Sequence, residues 1–144
     1  MVSNEQINVN KRNGRGLEAL NIDKIHSMVG FATEGITGVS ASHVEMNSGI
    51  QFFDKISTED IQQILIKSAN DLISLENPNY QYVAARLLLF SLRKKLHHRL
   101  WEHPKFIDHI KKIVDLGLYD KGILENYTEA EIDRMGMWID HERD

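Results

Sequence analysis

The chain has 144 residues, 42% of them hydrophobic, which suits one domain with an ordinary packed core, or one domain and part of another. It holds no cysteine, which excludes a disulfide framework, a thiolate metal site and any thiol-based radical or nucleophilic chemistry within these residues. The net charge of −4 hides an asymmetry: residues 1–99 carry 11 lysines and arginines against 10 acids, and residues 100–144 carry 6 against 11.

No acid lies between Glu76 and Glu102, while Arg86, Arg93, Lys94, Lys95 and Arg99 do. Local positive clusters able to meet an anion are thus confined to the first two-thirds. No apolar run is long enough to span a bilayer, and the N-terminus has no signal-peptide pattern. The expectation is a soluble, cytoplasmic protein with no membrane partner.

In chain order, Asn13-Gly14 is a turn signal because both residues tolerate positive φ. Ile7-Asn8-Val9 and Leu17 to Leu20 flank it as short strands. A first helix is expected from a cap at Asn21 or Asp23, with Ile22, Ile25, Val29 and Ala32 on one face and Gly35 at its end. A second helix is expected to open on the capping box Ser42-x-x-Glu45. Phe52 to Ile56 reads as a short strand returning to the hairpin. A third helix starts at Ser57 or Thr58 and carries Ile61, Ile64, Leu65, Ala69, Leu72 and Ile73 as its apolar stripe. A fourth and longest helix is expected with Asn77 as its cap and Pro78 in its first turn, and with Val83, Ala84, Leu87, Leu88 and Phe90 making it central. Beyond "WEHP" come a helix at Phe106–Leu116, stopped by Gly117, and another opened by Thr128-x-x-Glu131.

The hairpin and the helix after it hold the densest polar pattern. Lys11, Arg12 and Arg15 crowd the turn, and Glu18, Asn21 and Lys24 recur every three residues. A helix N-terminus attracts anions through its free N–H groups. Lys11, Arg12 and Lys24 around it would form a triphosphate cradle, with Glu18 and Asn21 reading hydrogen-bonding groups of a base or ribose. The alternative is a solvated hairpin before an ordinarily capped helix, and spacing alone leaves both open. A GxxxxGK phosphate loop is absent. Arg93, Lys94 and Lys95 read either as a second phosphate contact or as compensation of the helix dipole. The histidines (His26, His43, His97, His98, His103, His109 and His141) show no ligand spacing for zinc, and the 11 aromatic residues follow core spacing rather than forming a platform for nucleic acid.

Three segments, "NVNKRNGRGLEALNIDKI", "ISTEDIQQILIKSANDLIS" and "PNYQYVAARLLLFSLRKK", together resemble the ATP-cone, the nucleotide-sensing module of many ribonucleotide reductases. The tail from Phe106, ending "IDHERD", is similar to the segment after the cone in aerobic (class I) reductase large subunits. The resemblance implies a mainly α, α+β fold, in which a four-helix bundle is capped by a three-stranded sheet. It implies a regulatory domain over residues 1–99 and the helical start of a catalytic domain over residues 100–144. The implied effectors are ATP, activating, and dATP, inhibiting, with Mg²⁺ accompanying the triphosphate. Lys11 and Arg12 would approach the phosphates, Glu18, Ala19, Leu20 and Asn21 would surround base and ribose, and Lys24 would reach phosphate from the first helix. Thr58, Gln62, Phe90 and Lys94 would close the site.

The implied partners are the remainder of the large subunit and the radical-generating small subunit, not nucleic acid. Because the family's large subunit is several times longer, the sequence is expected to be an N-terminal piece of one, or a naturally split subunit, without turnover of its own. Two departures stand out: the familiar bacterial pattern has Asp at Asn13 and a loop one residue shorter, and Gln62 stands where dATP-inhibited members carry histidine. Glutamine still hydrogen-bonds but cannot become charged. Nucleotide binding with weakened ATP/dATP discrimination is one expectation, and a degenerate cone kept for subunit contacts is its rival. A cone-bearing repressor with a zinc ribbon is disfavoured by the lack of CxxC pairs.

Overall fold

The computed structural model describes residues 7–11, 16–97 and 103–143. The chain is mostly helical, with one small mixed sheet of three strands, and divides into two compact units, residues 1–92 and 93–144.

In the first unit, β1 (Asn8–Asn10) is the middle strand. β2 (Leu17–Ala19) pairs with it antiparallel, placing Val9 opposite Glu18, and β3 (Ile56–Ser57) pairs with it parallel, placing Val9 beside Ile56. Val9 and Ile56 are both buried, so the sheet contributes one apolar pair to the core. The expected hairpin forms: the Lys11 amide donates to the Gly16 carbonyl at 3.2 Å and the Leu20 amide to the Ile7 carbonyl at 2.8 Å. Its turn, Arg12 to Arg15, lies outside the described residues.

The strand expected at Phe52–Ile56 pairs only at its end, because the chain first makes a tight turn. Asp54 accepts hydrogen bonds from the Asn8 backbone amide at 2.9 Å and the Asn8 side-chain amide at 3.1 Å. The Lys55 amide returns a bond to the Asn8 carbonyl at 2.8 Å while Lys55 itself sits at φ 65°, a left-handed conformation that costs a non-glycine residue energy. The two bonds from Asn8 hold the Asp54 carboxyl below its ordinary pKa.

α1 (Ile22–Thr33) starts at Asn21, whose side-chain oxygen accepts from the Lys24 amide at 3.1 Å. Ile25, Val29 and Ala32 are buried, but Ile22, at the edge of that stripe on the first helical residue, is 68% exposed. At the far end, Arg86 donates to the carbonyls of Ala32 at 3.4 Å and Glu34 at 2.6 Å, placing a cation at the negative end of the helix. Gly35, at φ 71°, then turns the chain away.

α2 (Ala41–Gly49) begins two residues earlier than a cap at Ser42 implies. Its cap is Ser40, whose backbone amide donates to the buried Tyr80 hydroxyl at 3.1 Å. Glu45 does not fold back on the helix start; it meets His26 Nδ1 of α1 at 2.9 Å. α3 (Thr58–Asp71) is capped by Ser57, which accepts from the Asp60 amide at 2.9 Å. It buries Ile61, Leu65 and Ala69. α1 packs on α2, and α2 on α3. α4 (Tyr80–His97) starts after a turn at Pro78 and Asn79, two residues later than expected. It buries Tyr80, Val83, Leu87 and Phe90, while Leu88, expected inside, is 47% exposed.

In the second unit, α5 (Phe106–Asp115) packs against α7 (Glu129–Gly136), with the short α6 (Gly122–Asn126) between them in sequence. Ile107, Ile110 and Ile132 form its core. The capping box Thr128–Glu131 closes in both directions as expected. Gly117, at φ 70°, ends α5. Gly136 allows the helices to approach: a Cβ there would stand 2.5 Å from the Phe106 Cβ.

Two predictions follow from these contacts. Gly136→Ala gains about 1 kcal/mol in helix propensity, but overpacking costs about 1–3 kcal/mol, and the obstacle is a Cβ that cannot swing away. Urea unfolding followed by the fluorescence of Trp138 should therefore show a less stable second unit; a more stable one would contradict the packing. Asp54 has a folded pKa below its unfolded value of about 3.9, so its stabilisation is present above that value and is lost as pH falls through the lower folded pKa. Between pH 5 and pH 2 the chain should lose stability more steeply than its Asp54→Asn variant, whereas parallel pH profiles would contradict the Asn8–Asp54 linkage.

Candidate functional site

Among the described residues, the polar pattern of the hairpin converges on Glu18. It lies on β2 opposite Val9, and its carboxylate forms ion pairs with Lys11, just past β1, and with Lys24 in the first turn of α1, the latter at 3.8 Å. The Lys11 hydrogen bond, reinforced by the charges of both lysines, holds Glu18 below its ordinary pKa. All three side chains are substantially exposed. Asn21 stands between them in sequence and is occupied as the cap of α1. Ala19 and Leu20 carry no polar side chain; Leu20 contributes its amide to the Ile7 carbonyl, which fixes the strand-to-helix junction. Arg12 lies outside the described residues.

The parallel pairing of Asn10 with Ser57 brings a second segment to this sheet. Lys11 and Thr58 each follow the end of one of these neighbouring strands, and Thr58 is half-buried at the first position of α3. One turn on, Gln62 is only 7% exposed, and its side-chain amide donates to the Leu87 carbonyl of α4 at 2.8 Å. Phe90 is buried one turn beyond Leu87. The residues singled out from sequence thus form two groups, Lys11–Glu18–Asn21–Lys24 and Thr58–Gln62–Phe90, joined through the β1–β3 ladder. Lys94 lies farther along α4, in the second unit.

The sequence did not reveal that Glu18 pairs with both lysines, nor that Gln62 commits an amide hydrogen to α4. Both are contacts between separate elements with no local signature. It also missed Asn8 and Asp54, which position β3 across a separation of 46 residues.

Two exposed ammonium groups beside a helix N-terminus suit a phosphorylated anion. The described residues contain no group of three or more histidines, aspartates or glutamates able to hold a metal ion. The second unit has its own open, mostly apolar groove of about 860 Å³, lined by His103, Phe106, His109, Arg134, Met137 and His141 among others. It contains none of the residues that the family resemblance assigns to the nucleotide site. His103 and His141 stack there with ring centroids 3.7 Å apart.

Comparison with known proteins places this geometry in a class. A family model described as "ATP cone domain" matches residues 7–95, and the chain belongs to that family. It is 49% identical over 141 residues to "Ribonucleoside-diphosphate reductase 1 subunit alpha" of Escherichia coli K12, covering 98% of this chain and 18% of that protein. It is 41% identical over 138 residues to the subunit alpha of enterobacteria phage T4, covering 96% of this chain and 18% of that protein. Against the Helicobacter pylori subunit alpha the identity is 49% over 90 residues, 62% of this chain and 11% of that protein. The chain therefore resembles the N-terminal region of reductase alpha subunits and spans 18% of the length of the first two.

Proposed function

We propose that this chain is the activity-regulating domain of a ribonucleoside-diphosphate reductase large subunit, binding ATP or dATP between the hairpin, the start of α1 and the start of α3. The carrying observation is the convergence of Lys11, Glu18 and Lys24 at one point from separate elements. Membership of the ATP-cone family supports the nucleotide as ligand. Lys11, Arg12 and Lys24 bind phosphates; Glu18, Asn21 and the backbone at Ala19 and Leu20 face base and ribose; Thr58, Gln62, Phe90 and Lys94 complete the pocket. Helices α1–α4 serve as the bundle beneath the sheet, and the regulatory domain ends with α4, near residue 99. The segment after it begins the catalytic domain, whose remainder, with the radical-generating small subunit, is the partner on which regulation acts. The setting is the cytoplasm.

Mg²⁺ fits this site as a companion of the ligand rather than as a resident ion. Glu18 is engaged by lysines, and the described residues supply no carboxylate cage. The triphosphate's own oxygens and water are the donors that Mg²⁺ ordinarily keeps. When bound, it would offset phosphate charge that two or three cations leave uncompensated.

One observation favours a second reading. Gln62 already spends one of its two amide hydrogens on Leu87, so it meets a ligand with its oxygen and one remaining N–H, and with no charge. A cone built this way binds nucleotide while distinguishing ATP from dATP poorly, and at the limit serves only subunit contacts. Binding itself shifts an equilibrium only through differential affinity for its two states.

Calorimetric titration with ATP and dATP, in Mg²⁺, tests the site. The chain should bind both, and Lys11→Ala/Lys24→Ala should lose at least about tenfold in affinity, since charge-assisted hydrogen bonds contribute about 1.5–3 kcal/mol each. Unchanged affinity in a variant with intact helical content would remove the hairpin from the site. Absence of binding by the folded parent chain would favour the subunit-contact reading.

A further inference from the structure

Both described cations of the hairpin site are already occupied. Lys11 and Lys24, which would meet the phosphates, face the same carboxylate, that of Glu18. A polyphosphate approaching these ammonium groups brings its oxygens against a like charge. The ion pairs are exposed, with side-chain accessibilities of 42–43% for Lys11 and Glu18 and 70% for Lys24. Exposed pairs of this kind are weak and readily exchanged. Glu18 is therefore a competitor held in place but easily displaced. Once displaced, an ionised carboxylate accepts hydrogen bonds only and needs donors.

Building on the nucleotide reading above, we propose that Glu18 is a resident counterion whose exchange makes the site select a polyphosphate carried on a nucleoside over polyphosphate alone. The phosphate chain takes Lys11 and Lys24, and the released carboxylate is recaptured by hydroxyl or amino donors of the nucleoside. A bare polyphosphate takes the lysines but offers Glu18 no comparable donors, so it leaves the carboxylate against its own charge. The same residue offsets one of the two lysine charges in the empty site, which lowers its attraction for other anions.

The test compares the parent chain with Glu18→Gln, which keeps shape and removes charge, at one fixed concentration of free Mg²⁺. The probes are inorganic tripolyphosphate and ATP, titrated by calorimetry. Glu18→Gln should bind tripolyphosphate at least about threefold more tightly, the size expected for removing one exposed like charge. Its ATP affinity should not rise in step, so the preference for ATP over tripolyphosphate falls. A folding defect would weaken both ligands, so it cannot produce this pattern. If tripolyphosphate binding is unchanged or weaker in Glu18→Gln while the parent chain binds ATP, the exchange is overturned and the nucleotide reading survives. If the parent chain does not bind ATP, that reading fails and the exchange fails with it.

Discussion

The double pairing of β1 holds the site together. Three residues, Asn8 to Asn10, form the antiparallel ladder to β2, and two of them, Val9 and Asn10, also form the parallel ladder to β3. The first ladder sets Glu18 where Lys11 and Lys24 can reach it. The second sets the start of α3 beside the end of β1, bringing Thr58 and then Gln62 into the same region of the fold. A parallel pair cannot be joined by a tight turn, and here α1 and α2 lie between the two strands. So short a sheet needs anchoring. The Asn8–Asp54 bonds and the buried Val9–Ile56 pair supply it, at the cost of a left-handed Lys55.

Burial and charge divide the work of the first unit. The helices meet through apolar stripes, supplemented by a few placed polar contacts: Arg86 at the end of α1, the Tyr80 hydroxyl at the start of α2, and Gln62 between α3 and α4. These contacts bind separate helices and fix their relative positions. The ionic cluster at Glu18 is exposed and exchangeable, so it adds little to stability. A regulatory site benefits from this arrangement, because the groups that must rearrange on binding are not the ones that hold the core.

The sequence was most informative where structure is set locally. Asn21, Ser57 and the Thr128–Glu131 box mark helix starts because capping is decided within four residues. It misled where a local pattern met a distant competitor. Ser42 and Glu45 fit the capping-box spacing, yet Glu45 pairs with His26 of another helix, and Tyr80 takes over the capping of Ser40. Leu88 lies within an apolar run but faces outward, since a run carries no period that assigns a face. At the candidate site, spacing drew Lys11, Glu18 and Lys24 together, and the structure brings these three close. It could not show that Glu18 pairs with both lysines, because charge pairing across strands depends on register. The grouping of Thr58, Gln62 and Phe90 came from family resemblance rather than from any local signal.

The central claim is that the hairpin, the start of α1 and the start of α3 are one ligand site organised by β1. Amide-resolved NMR of the chain titrated with ATP and Mg²⁺ tests it most directly. The account predicts saturable shifts concentrated at residues 8–11, 17–24 and 56–62, with the second unit little changed except near Lys94. Shifts confined to the groove residues between His103 and His141, with the hairpin unmoved, would contradict it.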